Sequence, residues 1–268
     1  MYCKYCGKEI SDDSVFCQFC GKKMNDGTIS SINHEKEEPQ KKKNYTWIFV
    51  LLLIVIGGGG YYFINERIQE EEKYVKTHGT INGHEYVDLG LPSGLKWATC
   101  NVGATKPEGY GNYYAWGETA TKSKYTEDNS LTYGHSISSL QSQGIIDGNS
   151  NLTPQHDAAT ANWGGSWRMP TYDEQEELLN NCTWEWTTQN SISGCKVTGP
   201  NGNSIFLPAA GGRDGTSLFN DGNNGYYWSS TPNDDYVNGA YILSFSVGYE
   251  DVNIIVRIGG LTVRPITE

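Results

Sequence analysis

The chain has 268 residues and a formal net charge of −11, with 9 Lys and Arg against 20 Asp and Glu after residue 76. That acidic balance excludes nucleic acid as a partner, because phosphate binding needs a basic surface. The length accommodates one well-buried core in the last 190 or so residues, with smaller segments ahead of it.

Four of the seven cysteines fall in the first twenty residues, as Cys3-x2-Cys6 and Cys17-x2-Cys20. Two such knuckles suit a tetrahedral metal, since each short turn aims two thiolates at one ion. Each is followed by Gly and Lys (Gly7-Lys8 and Gly21-Lys22), the glycine allowing the tight turn and the lysine offsetting thiolate charge. With Cys3, Cys6, Cys17 and Cys20 filling all four positions, no place is left for water, so the ion expected is structural zinc. Residues 1–24 resemble the short zinc-ribbon modules at the N-termini of many bacterial membrane and regulatory proteins.

Residues 25–43 are polar and end in Lys41-Lys42-Lys43, a composition that reads as a linker. The uncharged run 44–65, bounded by Trp47 and by Tyr61 and Tyr62, reads as a transmembrane helix. The lysines before it and Glu66, Glu70, Glu71 and Glu72 after it put the N-terminus in the cytoplasm by the positive-inside rule. The reading is thus a single-pass protein of a bacterial cell membrane with lipid around its helix, a charged stalk over 66–77, and residues 78–268 periplasmic or extracellular.

In 78–268, strands are expected over 86–89, 96–101, 112–116, 204–207, 225–229, 240–246, 253–257 and 261–264. A helix is expected from the capping box Thr171-Tyr172-Asp173-Glu174 through Asn180, and a weaker one over 153–161. Trp97, Trp116, Trp167 and Trp228 sit among small residues and are expected to pack in the core, with Arg168 and Arg264 paired to carboxylates such as Asp88 or Glu118.

The motifs Tyr86-Val87-Asp88-Leu89-Gly90-Leu91-Pro92-Ser93-Gly94-Leu95-Lys96-Trp97-Ala98-Thr99, Tyr114-Ala115-Trp116-Gly117-Glu118, Trp163-Gly164-Gly165-Ser166-Trp167-Arg168-Met169-Pro170-Thr171, Phe206-Leu207-Pro208-Ala209-Ala210-Gly211, Tyr227-Trp228-Ser229-Ser230 and Val263-Arg264-Pro265 occur in this order. Together they resemble the Fibrobacter succinogenes major paralogous domain, abundant in gut Bacteroidetes. The resemblance implies a fold like that of C-type lectins and the formylglycine-generating enzyme. The whole chain then reads as a small zinc ribbon, one transmembrane helix and an α+β C-type lectin-like domain with a twisted antiparallel sheet.

Catalysis is not expected. The formylglycine-generating relatives use a cysteine pair, whereas Cys100, Cys182 and Cys195 are widely spaced; whether two of them form a disulfide is open at this level. Calcium-dependent sugar binding is not favoured either, because Thr231-Pro232-Asn233-Asp234-Asp235 lacks the leading carboxylate or amide of the lectin loop. The candidate ligand-binding residues are Asp221, Asn223, Asn224, Asn233, Asp235, Tyr236, Asn238, Tyr249 and Asn253, on Asn-, Asp-, Tyr- and Gly-rich segments expected to share one face. The expected function is a non-catalytic binding or adhesion-type ectodomain for a protein or glycan. A structural or assembly role in the envelope, or a variable protein of a diversity-generating retroelement, is the alternative.

Overall fold

The computed structural model describes residues 6–9, 16–22, 65–74 and 77–268. The chain divides into two compact units, Met1–Gly59 and Gly60–Glu268.

The membrane reading is corrected. Among the described residues no helix is long and apolar enough to cross a membrane. The run 44–65 lies outside the described residues except for Asn65, which opens helical turns over 65–74 whose side chains are all exposed. Those turns carry Glu66, Arg67, Glu70, Glu71, Glu72 and Lys73, and so many charges belong in water. Neither the transmembrane helix nor the membrane localisation is carried further.

The fold class is corrected as well. In place of one twisted sheet with a lectin-like layout, the described residues of the second unit form four small antiparallel sheets. Strands β1 (His78–Ile81), β2 (His84–Asp88), β3 (Lys96–Ala98) and β12 (Ile266–Thr267) form the first, in that order. The second contains β4 (Thr183–Gln189), β5 (Ile192–Thr198) and β6 (Ser204–Pro208), and the third is the pair β7 (Gly212–Asp214) and β8 (Ser217–Phe219). In the fourth, β9 (Gly225–Pro232) and the edge strand β11 (Tyr249–Val256) flank β10 (Gly239–Ser246). Besides the helical turns over 65–74, its described residues form three short helices, α1 (Ile137–Ser142), α2 (Ala158–Trp163) and α3 (Tyr172–Asn181), and a 3-10 turn at Glu127–Asn129. Glycine and asparagine interrupt the apolar runs so often that no strand exceeds eight residues, and pairing is therefore divided among several sheets.

The β9–β10 pair divides the interior. Trp228, Ala240 and Ile242 pack on one side with Trp116, Trp167, Leu140 and Val263. Their neighbours Tyr227, Leu243 and Phe245 pack on the other with Leu89, Trp97, Leu178, Val197 and Leu207. Side chains alternate across a strand, so a sheet buried on both faces reads as the near-continuous apolar runs seen in β9 and β10. Trp97, Trp116, Trp167 and Trp228 are all buried, and the indole N–H of Trp116 donates to the Ser229 carbonyl at 2.9 Å while that of Trp228 donates to Tyr114 at 2.8 Å.

Helix α3 starts where its capping box places it: the Thr171 hydroxyl accepts from the Glu174 N–H at 3.3 Å, and the Glu174 carboxylate accepts from the Thr171 N–H at 2.7 Å. The β4–β5 hairpin was not among the expected strands. It turns on Asn190 and Ser191, both left-handed with φ of 48° and 68°, as a two-residue hairpin requires. In its register Cys195 faces Trp186 and Thr183 faces Thr198, so Cys182, just before Thr183, lies four residues along the strand from Cys195's partner. That offset is roughly 13 Å at the rise of a strand, too far for a disulfide, and both thiols are free.

Candidate metal centre and binding loops

The Sγ atoms of Cys6, Cys17 and Cys20 all lie within 4.8 Å of one another. Cys6 and Cys17 approach to 3.6 Å, close to the edge of about 3.8 Å that a tetrahedron with Zn–S bonds of about 2.3 Å requires. The fourth expected ligand, Cys3, lies outside the described residues. Both knuckle glycines are left-handed, Gly7 at φ 70° and Gly21 at φ 71°. A Cβ at either would meet nothing within 4 Å, so conformation and not space selects glycine. The turn is closed by the Gly21 N–H on the Cys17 carbonyl at 2.8 Å and the Cys17 N–H on Lys22 at 3.0 Å, which buries Cys17. Among the described residues this is the one place where three metal-ligating side chains converge.

Residues 2–24 match the family model of the zinc-ribbon domain. With the thiol cluster, that match makes the N-terminal segment a zinc ribbon, a structural module compatible with one tetrahedral zinc. No curated protein and no solved structure matches the chain.

The candidate ligand-binding residues are divided between the two ends of the β9–β10–β11 sheet. Asp221, Asn223 and Asn224 lie in the turn before Gly225, which pairs with Phe245, and Tyr249 follows at that same end. Asn233, Asp235, Tyr236 and Asn238 lie in the connection after Pro232, at the opposite end. The eight-residue strands between them span about 20 Å, so the expected single face is corrected to two separate regions.

Several candidates have structural partners. The Asn233 carboxamide oxygen accepts from the Tyr236 N–H at 2.7 Å, and that of Asn238 accepts from the Gly134 N–H at 2.7 Å. The Asn224 carbonyl accepts from the Gly211 N–H at 2.8 Å. Asn253, midway along β11, donates to the Ser244 hydroxyl at 2.7 Å and to the Tyr249 hydroxyl at 2.9 Å. Asp221, Asn223 and Asp235 are exposed. Asn233 is buried and committed to its turn, so the Thr231–Asp235 segment does not present it to a cation.

One of the two arginines pairs with a carboxylate, though with neither Asp88 nor Glu118. Arg168 forms a bidentate ion pair with Glu174, at 2.6 and 2.7 Å. Burial works against the Glu174 carboxylate, but Arg168 and the Thr171 N–H together hold its pKa below the ordinary value. Arg264 is fully buried and meets no carboxylate. Its nitrogens donate to the carbonyls of Ala98, Thr99 and Phe206 and to the side chain of Asn101, at 2.6 to 2.9 Å. Burial lowers the pKa of Arg257 to about 10; one of its nitrogens reaches the His135 and Val237 carbonyls, while Nε and Nη1 are buried without partners.

Sequence reasoning missed the exposed apolar side chains Val237, Val247 and Ile254. The run Tyr249–Val256 held the signal for Ile254: on an edge strand alternate residues face outward, and Ile254 takes such a position.

Proposed function

We propose that this is a two-part binding protein, in which the zinc ribbon is a structural module and residues 78–268 form a non-catalytic recognition domain for a protein or glycan ligand. The observation that carries the reading is a set of exposed apolar side chains at one end of the β9–β10–β11 sheet, Tyr236 and Val237 in the connection after β9 and Ile254 on β11. Tyr236 and Ile254 come together at one end of the sheet, where a Cβ on Gly239 would lie 2.6 Å from the Tyr236 ring and 2.7 Å from Ile254. Exposed aromatic and aliphatic groups in contact, on a rigid sheet end, are the usual anchors of a recognition surface.

The motif resemblance of 78–268 to the Fibrobacter succinogenes major paralogous domain belongs to the same proposal. It is supported by the burial of its motif residues Trp97, Trp116, Trp167, Trp228 and Arg264.

The test is to probe protein and glycan arrays with the full chain, then measure affinity for any discrete hit with single variants. Tyr236→Ala weakens binding by tenfold or more, at about 2 kcal/mol for a truncated aromatic anchor, without lowering the melting temperature. Tyr249→Ala, some 20 Å away by strand rise, leaves the affinity unchanged. The reading fails if Tyr236→Ala binds as the parent does, or if the arrays give no hit at all.

A further inference from the structure

Strand β11 is the free edge of its sheet: among the described residues it pairs with β10 and with no other strand. The Arg257 N–H donates to the Asn238 carbonyl at 2.8 Å, one step beyond the register pair of Gly239 and Val256. Bonded pairs alternate along an antiparallel ladder. Tyr249, Asp251, Asn253 and Ile255 therefore turn their backbone groups to β10, and Glu250, Val252, Ile254 and Val256 turn theirs outward. Two outward groups are capped: the Val252 N–H donates to the Asp251 carboxylate at 2.9 Å, and the Val256 carbonyl accepts from the Gly259 N–H at 3.2 Å. The N–H groups of Glu250, Ile254 and Val256 and the carbonyls of Glu250, Val252 and Ile254 meet no partner among the described residues. A row of that kind is a template for a further strand.

Charge selects what can fill it. Residues 215–256 carry Asp221, Asp234, Asp235, Glu250 and Asp251, all exposed, and neither Lys nor Arg. In a chain of net charge −11, such a surface repels a second copy of itself and attracts a basic segment. The acids on β11 stop at Asp251; Val252 to Val256 are uncharged, and Ile254 is exposed there beside Tyr236.

We infer that the ligand of this surface is an extended polypeptide that adds a strand to β11, with basic residues against Glu250 and Asp251 and apolar ones against Val252 and Ile254. The inference rests on the recognition reading above and narrows its ligand to a peptide. Antiparallel addition is the more stable direction per residue. Main-chain hydrogen bonds then supply affinity, and alternate side chains supply specificity.

The probe is the peptide Thr-Val-Thr-Val-Lys-Lys, acetylated and amidated, which in antiparallel register sets its valines opposite Ile254 and Val252 and its lysines opposite Asp251 and Glu250. Calorimetric titration of the full chain is expected to saturate. Replacing both lysines with glutamates weakens binding about tenfold, as attractive cross-strand pairs become repulsive. Methylating both valine nitrogens, which face β11, weakens it by about tenfold or more through two lost hydrogen bonds. Ile254→Pro has a similar effect: it removes an outward N–H and none that bonds β10, a place where an edge strand tolerates proline. Glu250→Lys weakens the lysine peptide and strengthens the glutamate peptide, each about threefold, and those opposite signs separate a site from a folding defect. The inference is overturned if the lysine peptide does not saturate, if it and its glutamate or methylated forms bind equally, or if the chain forms a dimer that Ile254→Pro dissolves. A Tyr236-dependent glycan hit with no peptide binding removes this inference alone; no binding of either kind removes the recognition reading with it.

Discussion

Gly225 stands where β9 begins, opposite Phe245 in the register. A Cβ added there would lie 2.1, 2.4 and 2.6 Å from three carbons of the Phe245 ring, against an optimal separation of about 3.5 to 4.0 Å. The ring has nowhere to go: Phe245 is fully buried, with Tyr227 at 5.9 Å, Trp184 at 5.8 Å and Trp186 at 6.5 Å between centroids. Gly225→Ala is therefore an overpacking substitution near the upper end of the usual cost, about 3 kcal/mol. In a domain of this size that is a fall of roughly 6 to 12 °C in melting temperature. Phe245→Leu alone costs about 2 kcal/mol in lost burial and cavity. If the clash with the ring is the cause, the double variant costs close to what Phe245→Leu costs by itself, a coupling of about 3 kcal/mol where independent sites would add. Urea unfolding of the four proteins at 25 °C, with the slopes compared to establish a common mechanism, measures it. A cost below about 0.5 kcal/mol for Gly225→Ala, or additivity in the double variant to within that margin, would refute the packing argument.

Alkaline pH is expected to destabilise the β-rich unit. Burial pushes the Tyr227 hydroxyl up to about 12 and raises Tyr113, Tyr114 and Tyr125 as well. The stability such groups contribute is complete below the unfolded value near 10 and lost as pH rises through the folded one, about 2.7 kcal/mol for the two units of Tyr227. Arg257 and Arg264, both lowered by burial, act in the opposite sense but are outnumbered by the raised tyrosines, so urea midpoints measured from pH 9 to 12 fall; a flat profile refutes this. Glu174→Gln breaks the ion pair with Arg168 and costs about 1 to 2 kcal/mol at pH 7, reduced for the partial exposure of both groups. Because the Glu174 pKa is lowered, the wild-type advantage is full above the ordinary glutamate value of about 4.3 and shrinks as pH falls below it, and an advantage that does not shrink on acidification would show that the pair is not its source. The full chain carries one zinc, lost with Cys17→Ser or a chelator, as metal analysis under reducing conditions measures; a metal-free protein overturns the structural-zinc assignment.

The features legible in the sequence were those decided within a few residues. The double knuckle Cys3–Cys6 and Cys17–Cys20 fixes its chemistry by spacing, because a two-residue gap brings two thiolates to one ion wherever it occurs. The Thr171–Glu174 capping box places a helix start by bonds that span three residues, and the tryptophans among glycines are buried because rings of that area have no better place. The tertiary structure decided everything that depends on which distant segment lies alongside. Arg264 found carbonyls of residues 98, 99 and 206, since a long cation reports the need for partners but not their address. Loops alike in composition, at 219–225 and 233–239, went to opposite ends of one sheet because β9 runs between them. Strand direction is set by pairing with β10, and the loop residues themselves contain nothing that encodes it.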